Sequence, residues 1–423
     1  MSHPLLASAL LACSLAAAVL APAECSAQSP ADTLPPDAYV QDFDALWQEV
    51  RDGYAYLDGS RTDWDRVRAL YRPRAAQARG RREFLGVLEE VVRELYDPHA
   101  HVGANTAASP RMVPSGTDVW AEWRQSRAVI TDVRAGSRAE RAGVRAGQEV
   151  TSIGGRRVGE AVAEYLPRTL SAPDPAANDF ALRAALAGRH DAPVRLELAD
   201  ENGVPATAEF QPGVYDRPEA PLTAERLDGG IGYVRIHNSL GDTRLVAAWD
   251  SALAALRDTR GLVLDLRDTP GGGNTTVARG ILGRLIAEER PYQRHELAAE
   301  ERRHGIRRIW VEHAAPRGPF TYTRPVVVLV GRWTASMGEG LAIGLDGMRR
   351  AQIVGTPMAR LQGALYDVVL PRTRFTVRIP AERLYHVDGT PREAWSPGIR
   401  PDPPRHPGDD PALAAALEIL RAR

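Results

Sequence analysis

Apolar residues recur along the chain with periods that change from one stretch to the next. From Val40 to Arg51, Phe43, Leu46, Trp47 and Val50 fall at three- and four-residue steps, which predicts a helix with one apolar face. Thr62-Asp63-Trp64-Asp65 supplies capping groups for a second helix carrying Val67 and Leu70. A third is predicted from about Arg82 to Leu95, with Phe84, Leu85, Val87, Leu88, Val91, Val92 and Leu95 turned inward. Pro98 stops it, and His99 and His101 follow. On an extended segment those two side chains point to opposite faces and do not chelate one metal side by side. Either one reads equally as structural.

The period then shortens. Arg127 to Val133 alternates like a strand, and Val194 to Leu198 and Ala206 to Phe210 predict a hairpin around Asn202-Gly203. Glu160 to His190 reads only as a helix and a loop. Further on come a strand at Ile231–Ile236, a helix at Val246–Leu256 and a buried strand at Gly261–Leu266. Arg267-Asp-Thr-Pro-Gly-Gly-Gly-Asn274 leads from that strand into a helix holding Val277, Ile281, Leu282 and Leu285. Val326 to Val330, five apolar residues after a proline, predict a strand buried on both faces. Helical spacing from Met337 to Met348 follows, and Pro411 to Leu420 predicts a final amphipathic helix.

Two turns in this pattern carry chemistry. Ser336 stands where the strand ending at Val330 feeds a helix, so its hydroxyl projects into the crevice at a strand's carboxyl end. The amide N–H groups after it are available to an oxyanion. The plain alternative is that Ser336 only caps the helix. The glycines 271–273 likewise place amides at a helix N-terminus, where they bind negative charge. The run lacks the Gly-Lys-Ser/Thr of a P-loop and the spacing of Gly-x-Gly-x-x-Gly. It therefore fits an oxyanion hole better than a nucleotide phosphate.

Composition narrows the options. A chain of 423 residues implies roughly two or three domains. Net charge is −1, with no basic excess to indicate nucleic acid or an acidic membrane. Lysine is absent; all 53 basic residues are arginine. Residues 1–27 read as an export leader, too short and alanine-rich for a membrane span, with cleavage expected after Ala23 or Ala27. Cys13 and Cys25 would leave with it, so the mature chain is expected to lack disulfides and Cys-ligated metal.

Two resemblances organise these pieces. From Ile130 to Val158 the sequence resembles a PDZ domain: a strand, the Ala135-Gly-Ser turn, a short Ala-rich helix ending at Gly143, and a Gly147-led strand closed by Gly154-Gly155. Such domains accept an extended chain end as an added strand and hold its carboxylate on backbone N–H groups. A spacer or lid is the other reading of this module. Asp265-Leu-Arg-x-x-Pro-Gly-Gly272, Thr334-Ala-Ser336 with Glu339, Ile353-Val-Gly355 and Gly398-Ile-Arg-Pro-Asp402 resemble the S41 serine peptidases, the tail-specific or C-terminal-processing family. The resemblance implies an α/β fold with a crotonase-like (ClpP/crotonase) layered core and a domain order of helical 38–105, PDZ 113–212, peptidase core 218–405 and tail 406–423. It also implies Ser336 as nucleophile and an oxyanion hole from the Gly271-Gly272 pair and the Met337 amide, with no metal or organic cofactor.

The base follows from the branch. One branch of the family uses a lysine, and the matching stretch here is Met358-Ala-Arg-Leu-Gln-Gly363. Arginine stays protonated and cannot replace it. The tricorn-like branch takes a histidine from a Leu-x-Asp-x-His pattern, here Leu95-Tyr-Asp-Pro-His99, which implies His99 as base, with His386 in reserve. Its pKa would lie near 6.5 if unperturbed. The branch places a glutamate shortly before the Gly-Ile-x-Pro-Asp motif, whereas Glu393 here is two positions off. The third member thus stays open among Asp97, Glu339 and Glu393. The resulting expectation is an exported serine endopeptidase acting on polypeptide ends, with two rivals: a non-catalytic peptide or ligand binder on the same scaffold, and a hydrolase of small esters or amides.

Overall fold

The computed structural model describes residues 34, 35, 37–213, 218–403 and 408–422. The leader and both cysteines lie outside them. Helices α1 (Ala38–Gly53), α2 (Trp64–Gln77) and α3 (Arg81–Arg93) form where the apolar spacing places them. Asp63 caps α2 by accepting the Arg66 N–H at 2.9 Å. Val67 is buried there, while Leu70 is 37% exposed. Trp47 and Trp64 lock α1 to α2, each indole N–H donating to the other's carbonyl at 2.8 and 2.9 Å. After α3 the chain turns at His99 and enters the two-residue strand β1 (His101–Val102).

The 113–212 module begins with β2 (Val119–Arg124), which alternates Val-Trp-Ala-Glu-Trp and was not anticipated from the sequence. It continues through β3 (Arg127–Val133), α4 (Arg138–Arg141), β4 (Glu149–Ile153), β5 (Arg156–Arg157) and α5 (Val158–Ala163). Helix α6 (Pro175–Ala187) precedes the hairpin β6 (Val194–Ala199) and β7 (Pro205–Phe210). The sheet runs β2-β3-β4-β6-β7 with β5 on β4, so β2 is an edge. Residues 160–190 hold two helices rather than one. Asp174 caps the second with Pro175 at its first position, a pairing that sets a helix start.

The core follows as β8 (Leu222–Leu227), β9 (Ile231–Ile236), α7 (Arg244–Ala255), β10 (Gly261–Asp265) and α8 (Thr275–Leu282). After these come β11 (Arg290–Leu297), α9 (Ala298–His304), β12 (Arg308–Ala314), β13 (Val326–Val330), α10 (Met337–Gly347) and β14 (Ala351–Gly355). The chain closes with β15 (Ala364–Val369), β16 (Thr376–Tyr385) and α11 (Pro411–Arg421). One sheet runs β14-β13-β10-β9-β8, parallel except for β8. Strand β13 shows why its sequence is continuously apolar. Val326, Val328 and Val330 pack with α7, α8 and α10 on one face, while Val327 and Leu329 meet Ala416 and Leu420 of α11 on the other. Each such side chain contributes about 1.5–3 kcal/mol by burial, so Val328→Asp would break the layer.

A second sheet, β1-β16-β11-β12 with β15 on β16, closes the helical domain, whose core includes Leu370, Val377 and Ile379. Its central strands bury Gln293, His295, Glu296 and Glu382, so apolar periodicity does not mark them. Among the described residues no helix is long and apolar enough to cross a membrane.

Candidate active site

The carboxyl ends of parallel β10 and β13 carry the two turns singled out above, and they are tied together. Thr269 and Thr334 form a bridge, the Thr269 N–H donates to Trp333 O at 3.1 Å, and Thr334 Oγ1 donates to Leu266 O at 3.0 Å. Asp265 and Arg267 serve this scaffold. Buried Asp265 is held below the usual carboxylate range by Arg267, despite its burial, and Arg267 also grips Asp410 at the start of α11 at 2.7 and 2.8 Å.

Ser336 ends the β13 turn with φ 53° and ψ −111°, a left-handed conformation that costs a non-glycine residue about 1–3 kcal/mol. Its N–H donates to Glu339 Oε2 at 2.8 Å, which helps hold the strained turn. The side chain is half-buried. Gly272 lies directly against it: a Cβ on Gly272 would stand 2.5 Å from Ser336 Cβ and 3.5 Å from the Met337 nitrogen. Met337 opens α10, where an amide N–H has no acceptor within the helix. Gly272 also has φ +61°. Gly272→Ala is therefore expected to cost about 1–3 kcal/mol in stability and to displace Ser336, read as a lower chemical-denaturation midpoint. An unchanged midpoint would contradict this packing.

The glycine turn is not open in this conformation. Gly271 N–H donates to Asn238 Oδ1 at 2.6 Å, and Gly272 N–H donates to Thr269 O at 3.2 Å. The expectation of three free amides before α8 is thus corrected, because Asn238 and the local turn occupy two of them. Asn274 caps α8 by accepting the Val277 N–H at 3.0 Å.

Glu339, fully buried, gathers three backbone donors: Ser336 N–H, Arg360 N–H at 2.8 Å and Leu361 N–H at 3.3 Å. Burial pushes its carboxyl up to about 7, with Arg392 and those donors opposing the rise. The same 361–363 segment receives His99, whose Nδ1 lies 2.6 Å from Gln362 O. A donating Nδ1–H leaves the lone pair on Nε2. Arg392 bridges the region, donating to Leu361 O at 2.9 Å, Gly363 O at 2.8 Å and Ser336 O at 3.4 Å. Burial and Arg392 push the His99 imidazole down to about 3, far from the ordinary value expected from sequence.

Among the described residues no hydrogen bond joins His99 to Ser336, and no carboxylate bonds the His99 ring. Asp97 accepts the His99 backbone N–H and the Tyr54 hydroxyl, both at 2.9 Å, and burial lifts its carboxyl to about 7. Among the described residues Glu393 Oε2 finds no hydrogen-bond partner, and burial raises that carboxyl too. His101 contacts His99 O at 2.8 Å. His386 lies at the far end of α10, 3.4 Å from Asp346 and 2.9 Å from Asp388. Ten residues of helix separate Asp346 from Ser336, roughly 15 Å, so His386 is not placed to serve it. Arg392 and the Gln362 carbonyl were invisible in the sequence. The carbonyl belongs to the backbone, and nothing marks one arginine among many as buried.

Among known proteins, a chloroplastic C-terminal processing peptidase of Tetradesmus obliquus is 24% identical over 327 residues, covering 74% of this chain. The chain spans 66% of that relative's length. The structure of mature CPAF complexed with lactacystin superposes with a TM-score of 0.59 at 16% identity, over 92% of this chain and 97% of that one. A photosystem II D1 C-terminal processing protease gives 0.57 at 19%, over 90% and 97%. These likenesses show that the mixed α/β architecture is shared with both structures. Residues 35–93 match the tricorn protease C1 domain and residues 230–404 match peptidase family S41, so the chain carries an S41 peptidase domain, which contains both turns of the site, behind a tricorn C1 domain.

Proposed function

We propose that the protein is a serine endopeptidase that hydrolyses polypeptides through an acyl-enzyme. The observation that carries this reading is Ser336 itself, held in a strained turn at the end of a central parallel strand and packed against Gly272. Ser336 Oγ attacks the peptide carbonyl. Nε2 of His99 takes the proton and returns it to the leaving amine, after which water hydrolyses the ester by the same route reversed. The Met337 N–H and a glycine N–H of the 271–272 pair stabilise the tetrahedral oxyanion, which requires the glycine turn to release Asn238 or Thr269. The Gln362 carbonyl holds the ring in the tautomer this step needs, and apo geometry at such sites is often loose before substrate arrives.

We read the core as a crotonase-like layered fold and the 113–212 module as a PDZ domain whose edge strand β2 takes a chain end. Polypeptide as the substrate class is supported by the processing-peptidase relative. Export follows from the leader reading of residues 1–27. The missing His99–Ser336 hydrogen bond favours the rival reading, a non-catalytic binder. A fluorophosphonate probe, with the adduct mapped by mass spectrometry, separates the two. Labelling at Ser336 together with cleavage of a disordered polypeptide is expected; a folded protein that neither labels nor cleaves is a binder.

A further inference from the structure

Trp120 and Glu122 on β2 and Asp179 and Arg183 on α6 line one side of a cleft of about 640 Å³, and Arg360 and Gln362 line another. The last two belong to the segment whose backbone bonds Glu339 and His99. A chain bound along β2 and α6 therefore shares one cleft with the catalytic elements.

Arg183 feels Asp179, Arg332, Glu122 and Arg360 through space but forms no direct ion pair with any of them. Arg332 is held by Glu122 at 2.6 Å and Asp132 at 3.3 Å. Glu122 is thus engaged; Asp179 accepts the Trp123 N–H at 3.5 Å, and Asp174 accepts the Tyr96 hydroxyl at 2.8 Å. Arg183 lays its guanidinium 4.8 Å over the Trp120 ring and has no hydrogen bond or ion pair among the described residues. Arg183 lines the cleft, and none of its five N–H donors has an acceptor among the described residues. Burial pushes it down to about 10, so it stays protonated at neutral pH.

Much of the loop before β2 is already engaged. Chain-end capture by backbone amides would use the N–H groups of this loop. Gly116 N–H already donates to Met112 O at 2.6 Å, Thr117 N–H to Pro114 O at 3.3 Å and Val119 N–H to Thr117 Oγ1 at 3.3 Å. The loop's own anionic side chain, Asp118, is a carboxylate, which accepts the Gly213 and Ala139 N–H groups at 3.1 and 3.3 Å.

We propose that Arg183, stacked on Trp120, recognises a carboxylate of the bound polypeptide, its free C-terminus, with Arg360 as the second cation of the same cleft. The planar guanidinium offers paired donors to a carboxylate. This rests on the polypeptide-substrate reading and replaces loop amides with a side chain as the chain-end receptor.

The test uses the full-length Ser336→Ala protein, so binding is read without turnover. Fluorescence anisotropy compares a short labelled peptide as the free acid, as the C-terminal amide, and as an amide ending in Asp. The free acid is expected to bind about tenfold more tightly than the plain amide, the value of a charge-assisted hydrogen bond. Adding Arg183→Gln should erase that difference and leave the amide's affinity unchanged, and Arg183→Lys should keep part of it. Equal binding of acid and plain amide overturns the proposal. So does an Arg183→Gln variant that weakens both alike, which assigns the arginine to packing on Trp120. Tight binding of the Asp-terminated amide retains the carboxylate subsite and widens its source to side chains. Because the readout is binding, wild-type protein that cleaves nothing would sink the peptidase reading without touching this result.

Discussion

Ser336→Ala is expected to lower polypeptide cleavage by at least about 10⁴-fold and to abolish fluorophosphonate labelling, with the fold intact. The mutated atom is a single oxygen on a half-buried side chain. What positions the turn survives: the hydrogen bond to Glu339 comes from the backbone N–H at 336, and Thr334 and Thr269 hold the two turns together without the hydroxyl. The strain survives as well, because alanine at φ 53° is no more comfortable than serine. Glycine is. Ser336→Gly should therefore be equally inactive yet about 1 kcal/mol more stable than Ser336→Ala. That pairing separates nucleophile from cap: a residue kept only as a helix cap would lose stability on truncation and leave activity in place. A folded Ser336→Ala protein that cleaves at the wild-type rate would remove the serine from the mechanism.

What was legible in the sequence follows burial of apolar surface. Val326–Val330 and Leu262–Leu264 lie inside a sheet covered on both faces, so their sequences are unbroken apolar runs, and the turns at their strand ends, with Ser336 and Gly272, were legible directly. The second sheet was missed because its interior is polar. His295 pairs with Glu382 at 2.7 Å inside it, Arg383 pairs with Glu296, and such strands read as loops to any hydrophobic period. Strand β2 was missed for a related reason: Glu122 faces the cleft and Arg332 rather than solvent, and Trp120 packs in a small cluster with Val113, Ala187 and Trp333 outside the main cores. The Leu95–His99 pattern did lead to a histidine that contacts, through Gln362 O, the segment whose Arg360 and Leu361 N–H groups bond Glu339. Its partner, however, is a backbone carbonyl, and the three carboxylates weighed for that position are engaged elsewhere or unpaired.

His99→Ala should lower turnover by roughly 10²–10⁴-fold, the range for loss of a positioned general base. His101→Ala and His386→Ala should lose far less, since one ring only contacts the His99 carbonyl and the other sits at the opposite end of α10. The pH behaviour gives a second readout. In the folded protein the His99 pKa is depressed from 6.5 to about 3, so between those values the unfolded chain binds a proton the folded one does not. Stability from this source is complete above 6.5 and lost as pH falls. Asp97 has the opposite sign. Its pKa is raised from 3.8 to about 7, so the folded chain keeps a proton that the unfolded one releases, and stability is lost as pH rises across that window. Over the shared range the two nearly cancel, one proton against one. His99→Ala removes only the imidazole: the backbone N–H that bonds Asp97 remains, as does most of the burial that raises it. Glu339, raised to about 7, adds its own loss of stability with rising pH in both proteins, so His99→Ala should lose stability more steeply than the parent between pH 3.8 and 6.5. The wild-type imidazole also stays neutral well below 6.5, so kcat/KM should show no acid limb at that pH from His99 itself. Denaturation midpoints across this range, measured beside kcat/KM for both proteins, test the assignment twice. A fully active His99→Ala enzyme would end His99's role as base, whatever its stability profile.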